Sequence, residues 1–296
     1  MPTGTRRFAP HAAMTAMIAI WGASYAVVKV TLGSLSPFAV IALRFWLAVV
    51  CLLPFVRSGF GDQLRRARGP GLAAGACLAL GYLLQTVGMQ GTSASMGGFL
   101  AGLIVPLVAI GGRFVFGARF GPRSVAGLFL GMAGVACLCW PSGDPAQTDT
   151  PLGIGLQIGS SLSYAGHVLL LSRFGKDAPT VAFCLWQLVV VALAGSAAAL
   201  VSGELAAPGQ SEVVVTWGLG AAILYLGVLA TALGIGVQSL VQHRVPPVHL
   251  ALLFATQPLF AAFFGWLALA DALGPVQLLG GAVIIAGVVL TSLDRK

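Results

Sequence analysis

Charge is what this sequence has least of. Only 8% of its 296 residues are Asp, Glu, Lys or Arg while 58% are hydrophobic, whereas a soluble domain carries roughly a quarter charged residues. A soluble enzyme or binding module is excluded by that balance. The few acids are also confined: Asp62, Asp144, Asp149, Asp177, Glu204, Glu212, Asp271 and Asp294 all fall outside the long apolar runs, so the usual intramembrane carboxylate relay for protons has no members here. No GxxxxGK[ST] loop occurs, which removes ATP as a direct driver. Cysteine is sparse and odd in number, at Cys51, Cys77, Cys137, Cys139 and Cys184. With no CxxC and no His-Cys ligand spacing, neither a disulfide framework nor a zinc site is expected, and no cofactor or metal is expected at all. Strand-like alternation of the kind a membrane barrel needs is missing as well.

What is present is a series of apolar runs. A helix rising 1.5 Å per residue needs about 20 apolar residues to cross a hydrocarbon core about 30 Å thick. That ruler gives ten candidate spans: 11–31, 36–56, 70–90, 93–112, 124–141, 152–172, 179–201, 217–241, 247–269 and 275–292. They consume nearly the whole chain, and no connection is long enough to fold separately. The expected class is an all-α polytopic membrane protein. Arg6 and Arg7 precede the first run as they would in a signal peptide. Its apolar part exceeds the roughly 7 to 15 residues of a signal peptide, and no small-x-small cleavage site follows, so it is expected to stay as the first helix.

Charge placement fits the same ten spans. With a cytoplasmic N-terminus, the inner segments hold Arg6, Arg7, Arg57, Arg65, Arg66, Arg68, Arg113, Arg119, Arg123, Arg173, Lys176, Arg244, Arg295 and Lys296, while the outer loops hold Asp144, Asp149, Glu204, Glu212 and Asp271 and no basic residue. The positive-inside rule therefore predicts both termini in the cytoplasm. It also accounts for the net charge of +8. Nucleic acid is not expected as a partner, because the basic residues do not gather on a folded face with stacking aromatics.

The chain carries an internal repeat. FGARFGPRSVAGLFLGMAGVACL from Phe116 aligns with LADALGPVQLLGGAVIIAGVVLT from Leu269, setting Gly121, Pro122, Gly127, Ala133, Gly134 and Val135 on Gly274, Pro275, Gly280, Ala286, Gly287 and Val288. Two halves are expected, 1–145 and 146–296, meeting near PSGDPAQTDT (141–150). Each holds five spans, an odd number, so the second half enters the membrane from the opposite side. Inverted repeats of this kind recur in secondary transporters, with the substrate near the midplane between the halves.

Several stretches also resemble a known family. Helix 1 with WGASYAVVK, then Pro37 and Arg44, the pattern from Thr92 to Pro106, LYLGVLATAL (224–233), Pro258 and Gly280 to Gly287 are similar to the EamA-type transporters of the drug/metabolite transporter superfamily. That resemblance covers the full length. It implies a bacterial inner-membrane carrier for amino acids, their derivatives or other small metabolites, commonly exported. One position departs from the family pattern: Ala118 stands where an acid is often found after helix 4, and only the second copy keeps one, Asp271.

The candidate site is a polar and aromatic set at membrane depth. Tyr25, Tyr82, Tyr164 and Tyr225 lie well inside their spans rather than at the interfaces where tyrosine gathers. With Trp21, Ser24, Gln85, Gln157, Ser160, His167, Gln187, Gln238 and Gln257, they would all be satisfied by a wet central cavity, although single members could instead bond neighbouring helices. Such a lining suits a small neutral or zwitterionic solute with flat apolar parts and would not suit a polyanion. His167 is the one group at depth able to titrate near neutral pH, either as a hydrogen-bonding cavity residue or as a coupling group.

Two cations and two prolines complete the expectations. Lys29, near the outer end of helix 1, is expected to snorkel, and Arg44 either bonds backbone carbonyls at a helix end or shapes the outer mouth. Pro106 and Pro258 take matching places in helices 4 and 9, where each deletes a backbone bond and can kink its helix. The expected partners are the solute and the bilayer, with the protein a monomer or weak homodimer. Two other classes differ in testable ways. A lipid flippase would want a cavity open sideways, and an enzyme would need Ser163 and His167, four residues apart on helix 6, to act as nucleophile and base.

Overall fold

Helices begin where the sequence supplies caps. In a computed structural model describing residues 5–56, 59–116, 121–138, 149–203, 216–242, 253–254, 256–270 and 274–293, Ser36 accepts from the amide of Ala39, Ser93 from Met96, Thr150 from Gly153 and Thr216 from Leu219. Each hydroxyl satisfies an amide that the first helical turn leaves open. Pro37 and Pro151 follow two of the caps, where a missing N–H costs nothing.

The elements are α1 (Thr5–Thr31), α2 (Pro37–Leu52), α3 (Phe60–Gly88), α4 (Ala94–Ala101), α5 (Ile104–Phe116), α6 (Pro122–Leu138), α7 (Pro151–Phe174), α8 (Thr180–Val201), α9 (Trp217–Leu224), a π-helical segment (Tyr225–Leu233), α10 (Gly234–Val241), α11 (Gln257–Leu269) and α12 (Pro275–Ser292). Short 3₁₀ turns, Leu53–Phe55 and Met89–Gly91, close α2 and α3. The chain is all-helical among the described residues. Among them seven helices or helix pairs are long and apolar enough to cross a membrane, and three shorter apolar helices lie within α6, α11 and α12.

Four boundaries differ from the sequence expectations. Helix α3 starts at Phe60, ten residues before the apolar run, and carries Arg65, Arg66 and Arg68 on its first turns. The fourth run breaks at Gly102 and Leu103 into α4 and α5. Pro106 is therefore the third residue of α5 and Pro258 the second of α11. Neither proline deletes a bond inside a continuous helix: the Gly102 carbonyl that Pro106 would use accepts from Val105 at 3.3 Å instead. In the eighth run the π turns widen the helix across LYLGVLATAL. The beginning of the ninth run (247–252), Ala118, Asp271 and most of PSGDPAQTDT lie outside the described residues.

Packing turns the usual soluble arrangement inside out. Gln187, Gln157, Arg44 and His167 are buried, while Phe114, Phe129, Trp266 and Leu278 are exposed on the outer surface. That exposed belt is what acyl chains cover. The most extensive helix contacts run between residues 5–138 and residues 149–293: α6 with α12, α3 with α7 and α8, α2 with α8 and the π segment, α1 with α11 and α10, α5 with α7, and α4 with α11. At the α6–α12 crossing a Cβ on Gly134 would lie 2.7 Å from the carbonyl oxygen of Gly280, and one on Gly287 would lie 2.6 Å from that of Gly127. Only glycine lets two backbones approach this closely.

Candidate functional site

Six helices and the segment before α11 enclose one void. It has about 600 Å³ of space free of protein atoms, part of it open to the surroundings, and is lined by Trp21, Ser24 and Tyr25 of α1, Leu78, Tyr82 and Gln85 of α3, Ile104 of α5, Tyr164, His167 and Val168 of α7, Ile235 and Gln238 of α10, and Phe254 and Gln257. A mixed lining of rings, amides and aliphatic side chains is what small-molecule sites present.

Its wall is held by a polar node on α3. Gln85 Nε2 donates to the Tyr25 hydroxyl at 2.8 Å, and the Tyr164 hydroxyl donates to Gln85 Oε1 at 3.0 Å. One amide thus ties α1, α3 and α7 together around the void. Tyr164 reaches it because its ring lies against Gly81, one turn earlier on α3. The Tyr82 ring stands edge-on to Tyr164 with centroids 5.5 Å apart and edge-on to Phe45 at 4.7 Å.

A second anchor is the π segment. Trp21 Nε1 donates to the carbonyl of Ala230 at 2.8 Å, and the Trp21 ring is stacked parallel to Phe254 with centroids 6.2 Å apart. On the far side of the void, His167 Nε2 lies 2.7 Å from Gln187 Oε1, and Gln187 Nε2 donates to the Phe183 carbonyl at 3.0 Å. With Gln187 Nε2 given to Phe183, Gln187 Oε1 accepts from His167 Nε2. Gln238 Nε2 donates to Gln242 Oε1 at 2.9 Å. The Tyr82 hydroxyl and the Gln257 amide make no hydrogen bond to protein among the described residues and are available to a solute.

The structure thus gathers Trp21, Ser24, Tyr25, Tyr82, Gln85, Tyr164, His167, Gln238 and Gln257 around one space. Gln157, Ser160 and Tyr225 do not line it. Gln157 Nε2 donates to the Gln85 carbonyl at 3.1 Å, Ser160 Oγ to the Gln157 carbonyl at 2.8 Å, and the Tyr225 hydroxyl to the Ile20 carbonyl at 2.7 Å. Each finds its partner on a neighbouring backbone, which satisfies a polar group at depth as well as water does. The apolar lining, Leu78, Ile104, Val168, Ile235 and Phe254, has no signature in the sequence beyond hydrophobicity.

Lys29 departs from expectation, and Arg44 from one of its two expected roles. Lys29 does not extend to the headgroups: its Nζ donates to the carbonyls of Met89 and Thr92 at 2.8 and 2.6 Å, at the turn between α3 and α4. Ser93 N donates to Asp149 Oδ1 at 2.7 Å, and Thr150 N to the Gly91 carbonyl at 2.7 Å, so the same turn is fastened to the start of α7. Arg44 contacts no backbone carbonyl among the described residues. Its Nε donates to Thr231 Oγ1 in the π segment at 2.9 Å, and its Cζ stands 4.7 Å from the Tyr82 ring centre. Ser163 Oγ donates to the Gly159 carbonyl of its own helix at 3.1 Å while His167 is taken by Gln187, an arrangement with no nucleophile–base hydrogen bond. No group of three or more His, Cys, Asp or Glu side chains placed to hold a metal occurs among the described residues.

Comparison with known proteins follows this geometry. An uncharacterized transporter of Archaeoglobus fulgidus is 27% identical over 291 residues, covering 98% of this chain and 88% of that one. A probable amino-acid metabolite efflux pump of Escherichia coli is 24% identical over 280 residues, covering 92% of this chain and 90% of the pump. A solved crystal structure superposes with a TM-score of 0.66 over 94% of both chains at 18% identity, a likeness of fold. The pattern of one family matches the sequence twice, over residues 10–140 and again over 151–293. The chain is a multi-pass membrane protein and belongs to the EamA-like transporter family.

Proposed function

We propose that the chain is a secondary carrier that exports small metabolites, such as amino acids or their derivatives, by alternating access across a bacterial inner membrane. Ten spans form two inverted five-helix halves, 1–145 and 146–296, with both termini in the cytoplasm. The observation that carries this reading is the shared void: residues from α1, α3, α7 and α10, distant in sequence, turn their polar and aromatic side chains to one space. Carriers built from inverted repeats place their solute between the halves in this way.

Three further observations support it. The family pattern matches each half separately. The helix contacts come in exchanged pairs, α1 with α11 answered by α5 with α7, and α3 with α8 answered by α2 with the π segment. At α6–α12 the glycine contacts are reciprocal as well, Gly134 on Gly280 and Gly287 on Gly127. The solute class leans on the printed name of the Escherichia coli relative and on a wall of rings and amides. Among the described residues no carboxylate lines the void, which favours movement down the solute's own gradient over coupling through a carboxylate relay.

Reconstitution distinguishes the classes. Proteoliposomes loaded with labelled amino acids should release them in a protein-dependent, saturable manner, while fluorescent phospholipids in the same vesicles stay in their leaflet. Lipid scrambling without amino-acid release would establish the flippase reading instead.

A further inference from the structure

We propose that Arg44 sets the charge selectivity of the void, admitting solutes that carry an anionic group and refusing cations. The proposal rests on the void being the solute's path. Arg44 is 2% exposed, deep in α2. It makes one hydrogen bond, from Nε to Thr231 Oγ1 at 2.9 Å. Thr231 is no counter-charge, since its own hydroxyl proton goes to the Leu226 carbonyl at 2.7 Å. Two rings flank the guanidinium, Tyr82 at 4.7 Å and Phe45 at 5.5 Å from Cζ to ring centre. The terminal amino groups of the guanidinium meet no protein acceptor among the described residues.

Nor does a carboxylate answer it. The eight acids of the chain all lie outside the apolar runs, and among the described residues none pairs with Arg44. Arginine stays charged at any accessible pH. A positive charge therefore stands against Tyr82, which lines the void and meets Tyr164 of the wall, and against Phe45, which does not line it. Among the described residues the lining holds no carboxylate, lysine or arginine: it is hydroxyls, amides, aromatic rings, aliphatic side chains and His167, whose Nε2 is held by Gln187.

Such a charge is felt across the ring. For a solute charge about 8 to 10 Å away at an effective dielectric near 20, Coulomb's law gives roughly tenfold or more in favour of an anion and the same factor against a cation. Rings alone predict the opposite preference, because aromatic faces attract cations. Arg44 already occupies one face of Tyr82 and reverses that preference. The Tyr82 hydroxyl, without a protein partner among the described residues, lines the void as a donor for the anionic group.

The test uses matched probes of one shape and three charges: phenylalanine, 3-phenylpropanoate and phenethylamine, with leucine, 4-methylpentanoate and isoamylamine as a second set. Initial flux into proteoliposomes is read over protein-free vesicles. The wild type should move the acid or zwitterion at least tenfold faster than the amine. Arg44→Gln should reduce that ratio below about threefold, and Arg44→Lys, which keeps the charge and loses the Nε contact, should preserve it. If Arg44→Gln does not fold, the wild-type ratio and the Arg44→Lys ratio decide. An amine moved as fast as its acid by the wild type overturns the assignment and leaves the carrier reading intact. No protein-dependent flux of any probe overturns both.

Discussion

Gln85→Leu is expected to remove most solute flux from reconstituted protein. Gln85 is where three helices meet: it donates to Tyr25 of α1 at 2.8 Å and accepts from Tyr164 of α7 at 3.0 Å. Leucine fills nearly the same volume and makes neither bond. Each hydrogen bond contributes about 1 kcal/mol, so the ordered wall loses about 2 kcal/mol relative to arrangements in which the two tyrosines turn elsewhere. The ratio of ordered to disordered wall then falls about thirtyfold, and the initial rate at low solute by up to that factor. Folding should suffer less, because both hydroxyls border a void large enough to hold water. Tyr25→Phe and Tyr164→Phe each break one bond and should fall between. The measurement is initial efflux rate alongside the monodisperse fraction on gel filtration. A Gln85→Leu protein transporting at the wild-type rate would remove the node from the account.

The second large effect concerns assembly. Gly134→Val and Gly287→Val should each leave little folded protein in detergent. At both positions the new Cβ meets backbone that a rotamer change cannot clear: the Gly280 carbonyl oxygen at 2.7 Å and Ile284 N at 2.8 Å for Gly134, the Gly127 carbonyl oxygen at 2.6 Å and Gly131 N at 3.0 Å for Gly287. The helices must separate along their contact, at a cost of about 3 kcal/mol, the upper end for overpacking. Because the two contacts belong to one crossing, the losses should be similar and the double variant less than additive. Gly155→Ala, whose Cβ meets nothing within 4 Å, is the matched control and should melt within about a degree or two of wild type or slightly above it, alanine being the better helix former. Thermal denaturation followed by light scattering or gel filtration reads all four.

Much of this was legible before any coordinates. Ser36–Pro37, Thr150–Pro151 and Thr216 announce helix starts because a hydroxyl and a pre-set proline solve the same problem of open amides. The aligned glycines of α6 and α12 mark the place where those helices touch. Polar side chains at membrane depth mark the interior, since lipid offers them nothing. What the residues do not encode locally is helix rotation. Gln85 and Gln157 read alike, yet one faces the void and the other a backbone carbonyl, and only the packed neighbours decide. Apolar lining such as Phe254 and Ile235 is likewise indistinguishable from the belt that meets lipid.

The π segment was hidden for another reason. LYLGVLATAL is apolar but for Tyr225 and Thr231, and the Thr231 hydroxyl bonds the carbonyl five residues back. That wide turn is fixed by long-range contacts, Arg44 on Thr231 and Trp21 on Ala230, which no local pattern foretells. π turns of this kind frequently mark functional sites. Lys29 was misplaced because a lysine near a helix end has two options, water beyond the headgroups or uncapped carbonyls of a neighbouring turn. The 3₁₀ turn Met89–Gly91 supplies the second within reach.

The most direct measurement concerns Ser24, which lies on the void wall. In a chain whose five native cysteines are replaced, Ser24→Cys should transport until a bulky thiosulfonate reagent modifies it, and saturating solute should slow that modification. Flux should then fall to the level of protein-free vesicles. Undiminished flux from quantitatively modified protein would mean that the solute travels by another route.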